Sequence, residues 1–190
     1  DDVVRGFEKI QLPDITDKNW LDIPMLKIFG DGIPTNHTSW CNEDYLNAPG
    51  NHGAACLPGN TDEEMEEELH KIILLAHSKG YQVAVHATGD RALDASLRGF
   101  VKAIETYPSI SRRHYTLHGD MITNEWARKA AKYDCLHSLQ PAIGAFLYDA
   151  LQPFIGRRAS RIYGLKELFD CGLSVAGGSD CPVSMPNWRQ

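Results

Sequence analysis

The stretch Val83-Ala-Val-His-Ala-Thr-Gly-Asp-Arg91 decides how the chain is read. A short β-rich run ends in a histidine, and a turn and a helix start follow at once. In a strand over residues 82–86, Val83 and Val85 point one way and Ala84 and His86 the other. His86 therefore stands at the carboxyl end of a strand, where α/β folds place their chemistry. Gly89 gives the turn its freedom, and Asp90 can cap a helix beginning near Arg91. Taken alone, the stretch reads more simply as a core histidine hydrogen-bonded to a neighbour. Its meaning depends on what the rest of the chain does.

Working outward, the same pattern recurs. Met25-Leu-Lys-Ile-Phe29 is a strand candidate that stops at Gly30-Asp-Gly32. Lys27 shares a face with Met25 and Phe29, and an unpaired lysine is costly to bury. It belongs either to a solvated edge strand, alone or paired with Asp31, or to a site. Arg113-His-Tyr-Thr-Leu-His118 is a further strand, with His114, Thr116 and His118 on one face and Gly119-Asp120 just beyond. Cys135-Leu-His-Ser-Leu-Gln-Pro141 is another, broken by its proline, and Leu173–Asp180 is the last, with Asp180 just past its carboxyl end.

Helices separate these strands. Thr61-Asp-Glu-Glu64 is a capping box opening a helix with Met65, Leu69, Ile72, Ile73 and Ala76 as its buried stripe. The acidic residues 62–68 read as its solvated face, and His70 and His77 as surface or rim residues. Leu93, Leu97, Val101 and Ile104 mark a second helix ending at Tyr107-Pro108. Thr123 or Asn124 caps a third, through about Tyr133, and a fourth is predicted over residues 160–170. Residues 33–60 and 142–158 read as long loops. Trp40, Tyr45, His37 and His52 of the first, and Phe146, Tyr148 and Phe154 of the second, are candidates to cover or wall a pocket. His37 and His52 lack ligand spacing and read as solvent-facing. Strand and helix alternate throughout, which argues a parallel sheet with right-handed crossovers.

The chain has 190 residues, enough for one large domain with a proper core. A net charge of −6 argues against nucleic acid or an anionic membrane as the main partner. No apolar run approaches a membrane span and no signal-peptide pattern occurs. The five cysteines are odd in number and lack a CxxC, so a structural zinc knot or full disulfide framework is not expected. A Cys41–Cys56 bridge is the one pairing worth testing. The composition suits a cytoplasmic protein. Asp1-Asp-Val-Val reads as mid-protein sequence, and Trp20–Pro24 as a connector into the first strand.

Lys27, His86, His118 and Asp180 thus each sit at or near the carboxyl end of a predicted parallel strand. In a closed α/β barrel those ends converge on one mouth. Two imidazoles and a carboxylate suit zinc or a similar divalent ion. Such an ion lowers the pKa of a bound water, and Asp180 can accept the water's proton. A lysine carrying a carbamate would bridge two metals, whereas a plain ammonium would repel them.

These residues resemble the amidohydrolase superfamily, most closely its YtcJ-like (amidohydrolase 3) branch. The similarity lies in Leu26-Lys-Ile-Phe-Gly-Asp-Gly32, Val85-His-Ala-Thr-Gly-Asp-Arg91, Arg113-His-Tyr-Thr-Leu-His118, Leu139-Gln-Pro141 and Gly178-Ser-Asp-Cys-Pro-Val183, in family order. The resemblance implies a partial (β/α)8 TIM barrel of about strands four to eight, with outer helices. It implies one or two divalent ions, Lys27 at the position that can be carboxylated, and His86 and His118 as metal ligands. Asp180 becomes a metal ligand and the catalytic proton shuttle. Arg91, His114 and Gln140 fall within the motifs and are assigned support or substrate contact. The implied reaction is hydrolysis of non-peptide C–N bonds in a small amide, cyclic amide or N-formyl compound.

The family's first-strand His-x-His pair and its β-sandwich are absent from this sequence, and the eighth unit's helix breaks off after Pro186. The expectations are a fragment with weak metal affinity, inactive alone, and open sheet edges that favour association between copies or poor stability. A non-catalytic barrel fragment with a regulatory or binding role is the alternative. A doubly wound nucleotide-binding domain is disfavoured, because Gly30-Asp-Gly32 opens a long loop and not a helix.

Overall fold

The structure, a computed structural model, describes residues 23–186 together with Gly6, Lys9, Asn19 and Trp20. The connector expected over residues 20–24 falls partly outside the described residues, as does any helix beyond Pro186.

Five strands form one sheet: β1 (Met25–Phe29), β2 (Gln82–Ala87), β3 (Tyr115–His118), β4 (Leu136–Leu139) and β5 (Ser174–Gly177). All four pairings are parallel and the spatial order is the chain order. A doubly wound sheet must reverse direction at a switch point, and this one does not. It winds one way, as a barrel wall does. Among the described residues, β1 and β5 each pair on one side only.

The crossovers carry α1 (Asp62–Ser78), α2 (Asp90–Thr106), α3 (Asn124–Lys132), α4 (Pro141–Ile155) and α5 (Leu165–Asp170). Thr61 and Thr123 cap α1 and α3 by accepting the N–H groups of Glu64 and Trp126. Leu69, Ile73 and Ala76 of α1, Leu93, Leu97 and Phe100 of α2 and Trp126 of α3 pack with Val83 and Val85 in the main core. The opposite sheet face carries Met25, Lys27 and Phe29, which are exposed, with His86 beside them. Burial is thus one-sided: helices cover the outer face, and the inner face lines an open concavity.

Several expectations change. The predicted loop over residues 142–158 is mostly α4. Pro141, read as a strand breaker, sits in the helix's first turn, where its missing N–H costs nothing. The predicted helix over 160–170 is a 3-10 segment, Gly156–Tyr163, followed by the short α5. The first loop contains a 3-10 turn, Pro34–Asn36. Its Trp40 and Tyr45 are fully buried and do not cover a pocket. Tyr45 packs in a second small core with Leu151 and Ile155 of α4. The acidic face of α1 is not simply solvated, since Asp62 accepts the Trp40 indole N–H at 2.9 Å. His77, expected at the surface, is fully buried. All five cysteines are free, Cys41 buried and Cys56 exposed.

Candidate active site

β2 ends in a turn that a single carboxylate organises. Asp31, in the Gly30-Asp-Gly32 turn after β1, is fully buried. It accepts the N–H groups of Thr88 (3.0 Å), Gly89 (2.8 Å) and Trp40 (3.0 Å) and the Thr88 hydroxyl (3.2 Å). Burial pushes Asp31 up to about 7, against the pull of those donors. Gly89 has no room for a side chain, since a Cβ would meet the Trp40 carbonyl oxygen at 2.0 Å. The loops after β1 and β2 are thereby locked together at the carboxyl end of the sheet.

His86 sits at this locked corner. Its Nε2 lies 2.9 Å from the Gly32 carbonyl, so Nε2 carries the hydrogen and Nδ1 keeps its lone pair. The His118 ring stands 4.4 Å away, centroid to centroid, at 63°. Strand alternation places His118 on the outer face with Thr116, which is buried and bonded to His137 of β4 at 2.9 Å. The backbone at His118 turns instead, with φ 74, and delivers the ring to the inner side beside His86. Asp180, also in the left-handed region at φ 54, follows β5.

Lys27, His86, His118 and Asp180 line one cavity of about 930 Å³ at the strands' carboxyl ends, and Asp120 lines it too. The Lys27 ammonium stands over the Phe29 ring at 4.8 Å. Burial holds both imidazoles below the ordinary histidine range, His118 down to about 4, with the neighbouring His86 and the Lys27 charge adding to the effect. The Asp180 carboxylate opposes it at both rings. Both histidines are therefore neutral at pH 7, the form that binds metals. Burial alone pushes Asp120 up to about 7.

The donor set fits a divalent ion in kind: two neutral imidazoles and a carboxylate around one cavity. Among the described residues, no three His, Cys, Asp or Glu side chains are gathered into a ready-made metal cage.

The remaining assignments fare differently. Arg91 does not face the cavity. It pairs with Asp62 at 2.8 Å and lies 5.2 Å from the Trp40 ring, so it braces α2 against α1. His114 lies at the amino end of β3, fully buried and outside the cavity lining, in the position of a supporting residue, the first of the two roles expected for it. Its Nδ1 accepts the Val83 N–H at 3.0 Å and its Nε2 meets His77 Nδ1 at 2.9 Å. Gln140 is buried just before α4; its amide nitrogen reaches the Ser138 carbonyl at 3.3 Å, and among the described residues no hydrogen bond to its Oε1 meets the distance and angle of a formed bond. It does not line the cavity, but its side chain interacts with His118 and favours the protonated imidazole there, against the effect of burial. Asp31, as organiser of the turn, and Asp120 were missed by sequence reasoning. The signal for both was a carboxylate beside glycine, in Gly30-Asp-Gly32 and His118-Gly-Asp120, at a strand's carboxyl end.

A one-way parallel wall with histidines and acids at the carboxyl-end rim is a section of an α/β barrel. The comparisons agree. The sequence model of the amidohydrolase family matches residues 2–188, and the chain belongs to that family. YtcJ of Bacillus subtilis (strain 168), which carries an amidohydrolase name, is 31% identical over 166 residues, covering 86% of this chain and 29% of YtcJ. An uncharacterized metal-dependent hydrolase from Pyrococcus furiosus superposes with TM-score 0.76 at 21% identity, covering 98% of this chain and 36% of that one. A Xaa-Pro dipeptidase with bound methionine shares the fold at TM-score 0.54 and 15% identity, over 86% of this chain and 36% of its own. The chain therefore spans about a third of the length of the proteins it matches, and the fold is a partial barrel.

Proposed function

We propose that this chain supplies the carboxyl-side catalytic wall of a metal-dependent amidohydrolase. In this reading it acts on non-peptide C–N bonds of a small amide, cyclic amide or N-formyl compound. The supporting observation is the convergence of Lys27, His86, His118 and Asp180 on one cavity. His86 and His118 would hold a divalent ion, zinc in this reading, with Asp180 and a carboxylated Lys27 completing the set. When bound, the ion polarises the scissile carbonyl and lowers the pKa of the attacking water. Asp180 takes the water's proton and returns it to the leaving nitrogen. The Gly32 carbonyl fixes the His86 tautomer, and Phe29, Ile143 and Leu147 give the cavity an apolar wall. The partner is a small molecule, with neither nucleic acid nor membrane involved, and the setting is cytoplasmic. Among the described residues no helix is long and apolar enough to cross a membrane.

The experiment joins this chain to the upstream barrel segment of its own gene and measures amide hydrolysis with and without chelator. Loss of activity in chelator and in Asp180→Asn supports the reading; unchanged activity in either refutes it. The second reading is a non-catalytic barrel that binds a ligand without turnover. Metal-dependent turnover by the joined protein rules that reading out.

A further inference from the structure

His137 is fully buried on the outer face of β4, and none of the roles above uses it. It is the register partner of Thr116 across the β3–β4 pair, and the Trp126 ring of α3 stands edge-on to it at 6.0 Å. Its Nε2 lies 3.2 Å from the His118 carbonyl, so Nε2 carries the hydrogen. Nδ1 is then a bare acceptor, and it takes the Thr116 hydroxyl at 2.9 Å. Both ring nitrogens are engaged, and the tautomer is set from two sides.

The carbonyl it holds belongs to the peptide on which the site turns. The β3–β4 register ends at Leu117 and Ser138, and the His118–Gly119 peptide lies just beyond it. The N–H of that peptide donates to the Ala87 carbonyl of β2 at 3.0 Å, and its C=O accepts the His137 N–H. One peptide plane is thus tied to both neighbouring strands, by the backbone of β2 and by a side chain of β4. The residues on either side of it, His118 and Gly119, are left-handed, at φ 74 and φ 68. A residue with a Cβ pays for that conformation and keeps it only where the surroundings hold it there. The same turn carries the His118 ring off the outer face, where strand alternation would leave it, to 4.4 Å from the His86 ring. The His137 ring also floors the turn, since a Cβ on Gly119 would lie 2.3 Å from it. A leucine would fill that space, but only an N–H can hold the carbonyl.

We infer that His137 is a positioning residue for the candidate metal centre: through its Nε2–H it holds the His118–Gly119 peptide in the turn that sets the His118 ring beside His86, with Thr116 fixing the His137 tautomer. This rests on reading the cavity as a metal site. His137 touches neither the cavity nor anything bound in it, and acts only through the backbone of His118. The two candidate ligand rings are then each set by a hydrogen bond with a carbonyl: His86 donates to Gly32 from its own ring, and His118 has its carbonyl held by a neighbour's.

The test uses the 190-residue chain and needs no turnover. NMR of the parent with isotope-labelled histidine should show His137 protonated at Nε2 and bare at Nδ1, and a through-space contact between the His86 and His118 rings. His137→Leu keeps the bulk and removes the N–H. It should lose the contact between the rings and weaken zinc binding, measured by equilibrium dialysis, at least about tenfold. His137→Gln, whose amide N–H can reach the same carbonyl, should restore both. An Nδ1–H tautomer in the parent overturns the inference without any variant. So does a folded His137→Leu that keeps the ring contact and the parent's zinc affinity, or a His137→Gln that loses as much as His137→Leu. Should His137→Leu not fold, the parent tautomer and His137→Gln decide the matter. The ring contact is read without metal, so failure of metal-dependent hydrolysis alone would sink the proposed function and leave this result standing.

Discussion

The Asp31 carboxylate holds the Gly89 N–H at 2.8 Å, across 58 residues of sequence, and so ties the turn after β1 to the turn after β2. That bond, with its companions to Thr88 and Trp40, determines where His86 stands. Replacing Asp31 by alanine leaves three buried N–H groups without an acceptor. The expected loss is about 2–5 kcal/mol of stability, read from urea denaturation. Thr88→Val, which removes one hydroxyl partner, should cost about 1 kcal/mol. Equal stability of Asp31→Ala and the parent would show that the turn is held by something else.

Glycine at position 119 is required twice, by its φ of 68 and by the His137 ring at 2.3 Å from a would-be Cβ. Gly119→Ala should destabilise the chain by about 2 kcal/mol or more and shift the His118 ring. Gly178→Ala is the matched control, because nothing lies within 4 Å of its Cβ position. It should melt within a degree or two of the parent. A Gly119→Ala melt that matches the control would contradict the packing described.

Acid sensitivity follows from the buried histidines. His137 accepts the Thr116 hydroxyl at Nδ1 and donates Nε2–H to the His118 carbonyl, so both nitrogens of the neutral ring are already bonded. Burial drives it down to about 4 from an ordinary 6.5. Between those values the unfolded chain binds a proton that the folded chain refuses. This contribution is therefore complete above pH 6.5 and is lost as the pH falls through 4. It amounts to roughly 3 kcal/mol. His114, also down to about 4, has the same sign. Asp31 and Asp120, raised to about 7, have the opposite one: they favour the folded state increasingly as pH falls from 7. The readout is therefore the difference between the parent and His137→Gln in stability from pH 7.5 to 4.5. The gap should narrow as the pH falls, and a constant gap would refute the assignment.

Arg91 and His114 separate structure from site. Arg91→Ala breaks the part-buried pair with Asp62 and removes the guanidinium from Trp40, and should cost about 1 kcal/mol. Because neither residue faces the cavity, Arg91→Ala should leave zinc binding, measured by equilibrium dialysis, unchanged. His86→Ala and His118→Ala should each weaken it at least tenfold. Weakening by Arg91→Ala as large as that of the histidine variants would return Arg91 to the site.

Much of this was readable along the chain, for local reasons. Thr61 and Thr123 cap where a hydroxyl before an acidic turn should, and Lys27, His86, His118 and Asp180 end in one cavity as their strand-end positions implied. The errors are those that spacing cannot resolve. Pro141 after a strand reads as a terminator, yet proline serves equally as a helix start, and only the packing of Leu151 and Ile155 on Tyr45 selects the helix. His77 lies on a helix among charges and reads as exposed; its partner His114 is 37 residues away in sequence.

The sequence by itself determined the order of strands and helices and the carboxyl-end placement of the chemistry, because both follow from short-range periodicity and turn residues. Only the tertiary structure decided which groups meet. It rotated His118 away from the face its strand assigned and buried Asp31 among backbone donors. Such pairings join residues far apart along the chain, and they are set by how the turns at the sheet's rim pack against each other.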